Sequence, residues 1–387
     1  MSRAYAVLGS GMQGTAAAYD LARHGGATEL VLIDREEHAL EHALERIRKL
    51  IPTLSVTGRI ADAADTSALR RAVDGVAGVF SGLPYGLNPG AAAVAVDVGA
   101  HFCDLGGNTD VVRRTLALDH AAKKRGVSVI PDCGLAPGLG NVLAAALLQQ
   151  LPGAHSVHIR CGGLPRYPRP PLNYMLVFNI GGLTNEYMGE AEFLRDGQLI
   201  SVPTLSECEG LEFPTPVGKA EAFVTSGGTS TAPETFASRV RNYDYKTVRY
   251  PGHCAQLQAI KALGLWDLEP VTVGGATVRP RDLFHALAAP RLLPRPGDTD
   301  LVVLRADVLS AERGLRLELL DFADSATGFS AMERTTAFPA AATLAFQVEG
   351  RVPVGATTSE RLACVGELVD AVRARGLDIR SLPIAAR

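Results

Sequence analysis

The chain has 387 residues, longer than an ordinary single domain of ~100–200 residues, so two domains are expected. Hydrophobic residues make up 47% and charged residues 20%, the balance of a globular protein in water. A formal net charge of -3 gives no electrostatic reason to expect nucleic acid or a membrane surface as partner, and no run of ~18 apolar residues is available to span a membrane.

The chain enters a strand at once, with no charged segment leading into a removable apolar stretch, so a cytoplasmic location is expected. Six cysteines (Cys103, Cys133, Cys161, Cys208, Cys254 and Cys364) stand singly. No CxxC pair and no Cys/His cluster with zinc spacing occurs, so reduced buried thiols and no metal are expected.

The first third alternates short apolar runs with amphipathic stretches. Strands are predicted over 5–8, 30–33, 76–81, 101–104 and 127–130, with a third strand ending near Ala61-Asp62. Helices are predicted over 15–24, 36–50, 67–73, 88–98 and 110–125, with Asn88 capping the fourth ahead of Pro89. Strands separated by helices argue for a parallel, doubly wound α/β sheet. After Asp132 the texture changes. Gly134-Leu-Ala-Pro-Gly-Leu-Gly140 opens a helix of small residues, and 156–250 carries alternating patterns, as at 158–160, 176–178 and 247–249. Long strands are predicted over 300–305 and 315–320, and helices over 335–348 and 359–375. The expectation is a dinucleotide-binding domain over 1–132, an α+β domain over 133–330, and helices of 331–387 packing back on the first domain.

Gly9-Ser-Gly11-Met12-Gln-Gly14 fits G-x-G-x-x-G between an apolar strand and a helix. Gly9 permits the tight turn, Gly11 lets the backbone approach a pyrophosphate, and Gly14 lets the helix pack closely. The pyrophosphate then rests on the helix N-terminus. Asp34 follows twenty residues after Gly14, at the end of the second strand. Its carboxylate suits ribose hydroxyls and repels a 2′-phosphate, which favours NAD; Arg35 beside it keeps NADP open. Asp62 falls where adenine rests, and Gly82-Leu83-Pro84 faces the middle of the cofactor.

Ligands of doubly wound sheets bind beyond the carboxyl ends of the strands, where Asp104 and Asp132 stand. Each acid suits proton relay or helix capping equally. Thr225-Ser-Gly-Gly-Thr-Ser-Thr231 is rich in small donors and precedes Arg239, Arg241, Tyr243, Tyr245, Lys246, Arg249 and His253. Arg241 and Arg249 are candidate carboxylate forks, and His253, opening a helix, a candidate acid or base. The stretch from Pro170 through Tyr174 to Asn185-Glu-Tyr187 mixes aromatics, amides and one acid, and is a second candidate wall.

These residues resemble a family. Gly9-Ser-Gly-Met-Gln-Gly14, His101-Phe-Cys-Asp-Leu-Gly-Gly107, Gly134-Leu-Ala-Pro-Gly-Leu-Gly140, Lys246-Thr-Val-Arg-Tyr-Pro-Gly-His253 and Met332-Glu-Arg-Thr-Thr-Ala-Phe-Pro-Ala340 together look like the saccharopine dehydrogenase superfamily. Asn185-Glu-Tyr187 and Ser226-Gly-Gly-Thr-Ser-Thr231 look similar to its lysine 6-dehydrogenase branch. The resemblance implies NAD-dependent oxidation of the side-chain amine of L-lysine, with imine hydrolysis to allysine and cyclisation to a piperideine carboxylate. It also implies a homo-oligomer acting on a small amino-acid substrate. A saccharopine or carboxyspermidine type dehydrogenase, or a non-catalytic NAD(P)-binding regulator, is the alternative. Under this reading Asp104 and His253 handle protons, Arg241 and Arg249 bind carboxylate, and Tyr174, Thr231 and Tyr243 line the substrate.

Overall fold

Ala4-Tyr-Ala-Val-Leu8 has no charged side chain and is buried along its whole length, as a strand covered on both faces requires; its one polar group, the Tyr5 hydroxyl, donates to Gly25 O at 3.0 Å. In the computed structural model, which describes residues 3–177 and 179–385, it is an interior strand of a seven-stranded parallel sheet. The strands are β1 (Ala4–Leu8), β2 (Glu29–Asp34), β3 (Ser55–Ile60), β4 (Gly78–Ser81), β5 (His101–Asp104) and β6 (Ser128–Ile130). The helices between them are α1 (Met12–Arg23), α2 (Glu37–Leu50), α3 (Thr66–Ala72), α4 (Asn88–Val98), and the pair α5 (Thr109–Leu116) and α6 (Asp119–Arg125).

The predicted helix over 110–125 is therefore two helices, and Asn88 does not cap α4. Its Oδ1 accepts instead from Ser81 Oγ at 2.7 Å, so the buried amide ties the helix start to the end of β4. Leu176 and Val177 lie in irregular chain rather than a strand, and Phe178 falls outside the described residues.

The second half begins with α7 (Leu139–Gln150) and continues through β7 (Ala154–Pro165), α8 (Ile180–Glu186), β8 (Glu190–Arg195), β9 (Gln198–Pro203), β10 (Glu209–Phe213) and β11 (Gly218–Phe223). Then come α9 (Ala232–Phe236), β12 (Asn242–Arg249), α10 (His253–Ala262), the hairpin β13 (Val271–Val273) and β14 (Ala276–Val278), α11 (Pro280–Leu292), β15 (Asp300–Ser310) and β16 (Gly314–Phe322). The mixed sheet runs β10-β11-β12-β7-β15-β16 and ends on a strand the sequence did not announce, β18 (Ile379–Ile384). One face packs on α7, where Tyr243 Oη donates to Asn141 Oδ1 at 2.9 Å. The other carries paired charges, including Arg160 with Asp244 and Glu209, and Arg316 with Asp307.

Beyond β16 the chain returns to the first sheet. Helix α12 (Ala331–Val348) starts on a capping box of Ser330 and Glu333. Its buried Gln347 Nε2 donates to Phe102 O and Ser128 O at 3.0 Å. Next, β17 (Gly355–Ala356) adds the seventh strand beside β6. The predicted helix over 359–375 is a short 3-10 turn, Ser359–Arg361, followed by α13 (Val365–Arg373). Just past α13, Arg375 Nε meets both oxygens of the fully buried Asp20 on α1 at 2.9 Å.

Burial pushes Asp20 up to about 6 against the opposing pull of Arg375. Arg375→Met would leave that carboxyl without its partner and is expected to cost about 3–5 kcal/mol at neutral pH. Asp20 titrates higher folded than unfolded, so the cost shrinks as pH falls through the folded value and the carboxyl becomes neutral. Urea unfolding at pH 5 and pH 8 checks this; equal losses at both would refute it.

Candidate functional site

The strand order of the first sheet is β17-β6-β5-β4-β1-β2-β3, so the winding reverses between β1 and β4. Crevices at such reversals receive ligands beyond the carboxyl ends of the strands. Here that crevice is a groove of about 240 Å³ lined by Gly9, Gly11, Asp34, Arg35, Asp62, Gly82, Leu83 and Pro84. These eight were named as cofactor candidates from the sequence; Leu8, Ile33, Ala61, Ala63 and Leu87 complete the lining. Met12 is exposed on the first turn of α1 and Gly14 lies beneath the loop; neither lines the groove.

The loop is built for close approach. Gly9 takes a φ of +86°. A Cβ on Gly14 would sit 1.7 Å from Gly9 O, so only hydrogen fits there. A Cβ on Gly11 meets nothing within 4 Å and would project into free space. Helix α1 has no side-chain cap and no acid in its first turn. Its leading amides and positive dipole end are left for an anionic ligand, and a dinucleotide fits this cradle.

Asp34 Oδ2 accepts from Ser10 N at 2.6 Å and Oδ1 from Glu36 N at 3.0 Å, which fixes the carboxylate at the groove's rim. Arg35, beside it on the groove's lining, is exposed and pairs with Glu36 at 3.3 Å. Asp34→Ala is expected to weaken NAD and raise the NADP:NAD ratio of kcat/KM by about tenfold, the equivalent of ~1.4 kcal/mol. Unchanged NAD affinity would remove the ribose assignment.

The groove leads past Pro84 and Tyr85 into a cleft of about 730 Å³ between the two sheets. Its floor is the loops after β5 and β6, through Leu105, Gly107, Ala136 and Pro137; the opposite wall is α8 with Ser226-Gly-Gly228. A deeper recess of about 170 Å³ adjoins it, lined by Cys161, Tyr245, Thr247, Arg249, Met332 and Thr336. Leu105, Ala136, Glu186 and Tyr245 line both spaces.

Glu186 and Arg249 are the charged groups of that recess, with Nη2 and Oε2 3.5 Å apart. Burial pushes Glu186 up to about 7, while the neighbouring guanidinium pulls it down. Its carboxyl is therefore poised to exchange a proton near neutrality. Arg249 is buried and held from three sides. Its Nε donates to Tyr187 Oη at 3.1 Å, its Nη1 donates to Val248 O at 2.9 Å, and its Cζ lies 5.0 Å from the Tyr174 ring centroid.

His253 completes this scaffold from behind. Its Nδ1 lies 3.0 Å from Leu172 O, a pure acceptor, so Nδ1 carries the proton. Nε2 then accepts from Tyr187 Oη at 3.1 Å. Burial and the nearby Arg249 push the ring down to about 3, so it stays neutral.

The remaining expectations need correction. Asp104 does not line the cleft. Its Oδ1 accepts from Gly106 N at 2.8 Å and Asp132 N at 3.0 Å, knitting the floor loops together. Burial raises it to about 6. His253 is walled off behind Tyr187 rather than facing substrate. Tyr174 lies under the guanidinium, and Tyr243 is core against Asn141 and Phe236. Thr231 starts α9 and is buried; its neighbour Ser230 donates to Asp132 and joins the second half to the first sheet. Arg241 is exposed at the far end of β12, 3.8 Å from Asp196. It precedes a strand of eight residues, and ~3.3 Å per residue separates it by roughly 26 Å from Arg249, too far for one fork.

Two cleft residues, Glu186 and Tyr245, were not singled out as site residues. Glu186 was the lone acid in a segment read as a wall, and that isolation was its signal. Of the cysteines, Cys208 is exposed and Cys364 half-buried, against the expectation of buried thiols; the other four are buried. Among the described residues, no cluster of three or more His, Cys, Asp or Glu is placed to hold a metal ion. None of the described helices is long and apolar enough to cross a membrane.

Two family models match the chain: the saccharopine dehydrogenase NADP binding domain over residues 5–130, and the saccharopine dehydrogenase C-terminal domain over 134–377. The chain belongs to the saccharopine dehydrogenase family. With the glycine loop and groove, this makes it an NAD(P)-dependent oxidoreductase. The mitochondrial alpha-aminoadipic semialdehyde synthase of Rattus norvegicus is 26% identical over 201 residues, which span 49% of this chain and only 21% of the rat protein. The fold matches saccharopine dehydrogenase (L-Glu forming) of Saccharomyces cerevisiae with a TM-score of 0.78 at 18% identity, covering 99% of this chain and 100% of the yeast chain. It also matches homospermidine synthase of Legionella pneumophila, solved with NAD, with a TM-score of 0.67 at 11% identity, covering 98% of this chain and 91% of the other.

Proposed function

We propose that this saccharopine dehydrogenase family member oxidises the side-chain amine of a small amino acid, L-lysine, with NAD as hydride acceptor. The pairing of Glu186 with Arg249 in the recess carries the reading. An amino-acid carboxylate calls for a fixed guanidinium, and Arg249 is pre-oriented by Tyr187 and Tyr174. An ammonium must lose a proton before its carbon can give up hydride, and a carboxyl titrating near 7 accepts it.

Bound NAD supplies the hydride acceptor; the chain's own residues bind, orient and move protons. The substrate carbon loses hydride and its nitrogen becomes an imine. Water adds to the imine carbon, the C–N bond breaks, ammonia leaves and the aldehyde remains. Tyr245 and the apolar side chains of Leu105 and Ala136 limit water around the reacting carbon. Asp34 favours NAD, because its carboxylate, held at the groove's rim by Ser10 N, repels a 2′-phosphate.

The test is NADH formation followed at 340 nm with lysine, ornithine and saccharopine. Turnover of lysine supports the reading. Turnover of saccharopine but not lysine replaces the substrate, and NAD binding without turnover of any amine replaces the enzyme with a cofactor-binding regulator.

A further inference from the structure

Three of the loops that line the cleft meet at one buried residue, Asp132. The first is the loop after β5, where Asp104 Oδ1 accepts from Gly106 N at 2.8 Å and from Asp132 N at 3.0 Å. The second is the loop after β6, which Asp132 itself begins and which leads to Ala136 and Pro137 on the cleft floor. The third is the wall loop of residues 226–231, whose Ser230 Oγ donates to Asp132 Oδ2.

This meeting point is energetically costly. Asp132 takes a φ of +57° and Ser230 a φ of +47°, so both ends of one hydrogen bond lie in the left-handed region. Asp132 Oδ1 is buried and has no hydrogen-bond partner among the described residues. It lies against Gly106, where a Cβ would sit 1.7 Å from that oxygen. Burial and the neighbouring Asp104 push the Asp132 carboxyl well above the usual carboxylate range. Left-handed backbone and unpaired buried oxygens persist only where the surrounding structure enforces them, and they gather at functional sites.

The wall loop is anchored at two points. At its start Ser226 N donates to Glu186 O at 2.8 Å, and Ser226 Oγ donates to Asn185 O at 3.0 Å. At its end stands the bond from Ser230 to Asp132. Between the anchors Gly228 packs so closely on Tyr245 that a Cβ would lie 2.1 Å from a ring carbon. The placement of this loop therefore bears on both the end of α8 that carries Glu186 and the cover over Tyr245.

We propose that Asp132 and Ser230 form a clasp that holds the floor and the wall of the cleft in register, as positioning residues for the amine substrate and for Glu186. Neither residue lines the cleft, so the clasp acts through the loops it joins. It rests on the reading of Glu186 as the proton acceptor.

Released from Asp132, the wall loop spends part of its time away from the formed cleft, and the substrate binds only the formed fraction. Water also reaches Glu186, whose high value comes from burial, so its titration falls toward the ordinary carboxylate range. The charged groups around Glu186 are Arg249 in the recess and Asp110 and Glu190 along the cleft; none belongs to the clasp.

Ser230→Ala removes the donor and tests the clasp. Amide hydrogen exchange across 226–231 is expected to quicken at least about tenfold, with β12 unchanged. KM for the amine is expected to rise about tenfold while the plateau kcat changes less than about threefold. The rising limb of the pH–rate profile should move to lower pH by about half a pH unit or more, which a loss of stability alone would not do. Should Ser230→Ala fail to fold, Ser230→Gly decides, because glycine removes the hydroxyl and accepts the positive φ. Wild-type exchange in 226–231, or an unchanged KM and limb, overturns the clasp. Exchange is read without substrate, so it decides the clasp even where no amine is turned over, an outcome that would remove the proposed reaction instead.

Discussion

Glu186→Gln is expected to lower kcat for the amine about a hundred- to a thousand-fold, within the range typical of a lost general base. The side chain keeps its size, so KM for the amine should change less than about threefold. The pH profile discriminates further. Glu186 titrates at about 7, so the wild-type rate should rise with pH until the carboxyl is ionised and then level off. The glutamine variant should lose that rising limb. A variant that keeps the limb and loses only affinity would show that Glu186 holds substrate and does not take its proton. Single-turnover rates from pH 5.5 to 9 make the measurement.

Gly14→Ala is expected to be as damaging by a different route. The new methyl lies 1.7 Å from Gly9 O, and both partners are backbone, so neither can rotate away. Either α1 shifts outward or the loop carrying Gly9, Ser10 and Gly11 does. Each move breaks the bonds from Gly9 N to Ile33 O at 2.8 Å and from Ser10 N to Asp34 at 2.6 Å, which give the groove its shape. Dinucleotide affinity should fall more than a hundred-fold, about 2.7 kcal/mol, with a further 1–3 kcal/mol lost from stability through overpacking. NADH fluorescence titration and urea unfolding read the two effects. A dissociation constant within threefold of wild type would mean the loop has slack that this geometry denies.

The cofactor half was legible because its determinants are local. The glycine loop and the Gly82-Leu83-Pro84 turn each follow a strand announced by an apolar run, Asp34 ends another, and parallel strands buried on both faces leave no ambiguity of register. The substrate half was less legible because its determinants are periodic and long-range. Arg241, Tyr243, Tyr245, Thr247 and Arg249 recur every second residue and look like one face, but period two says nothing about distance along the strand. Only the carboxyl-terminal end of β12 reaches the cleft, so Tyr245, Thr247 and Arg249 line it while Tyr243 is core and Arg241 faces solvent.

His253 misled for a related reason. A histidine at a helix start suggests catalysis until its burial and both ring partners are known. Strand β18 escaped notice because it is a short edge strand interrupted by Pro383, and its partner β16 ends more than fifty residues earlier. The break between α5 and α6 falls at Ala117-Leu118, where neither residue disfavours helix, so tertiary packing makes it.

The return of the chain to its beginning bears on how the protein is made. The first six parallel strands are complete by residue 130, but α12 and β17 come from residues 331–356. Cys103 Sγ donates to Ala340 O, and Gln347 reaches the carbonyls of Phe102 and Ser128, so α12 lies directly on β5 and β6. During translation at ~5–20 residues per second, the nascent first sheet waits roughly ten to forty seconds for the helix that seals it. Over that interval the apolar side of β5 and β6 is open on the ribosome. The groove for the dinucleotide, whose own residues end at Leu87, is assembled long before the sheet beneath it is closed. Early cofactor capture would then stabilise a sheet whose cover has yet to be synthesised.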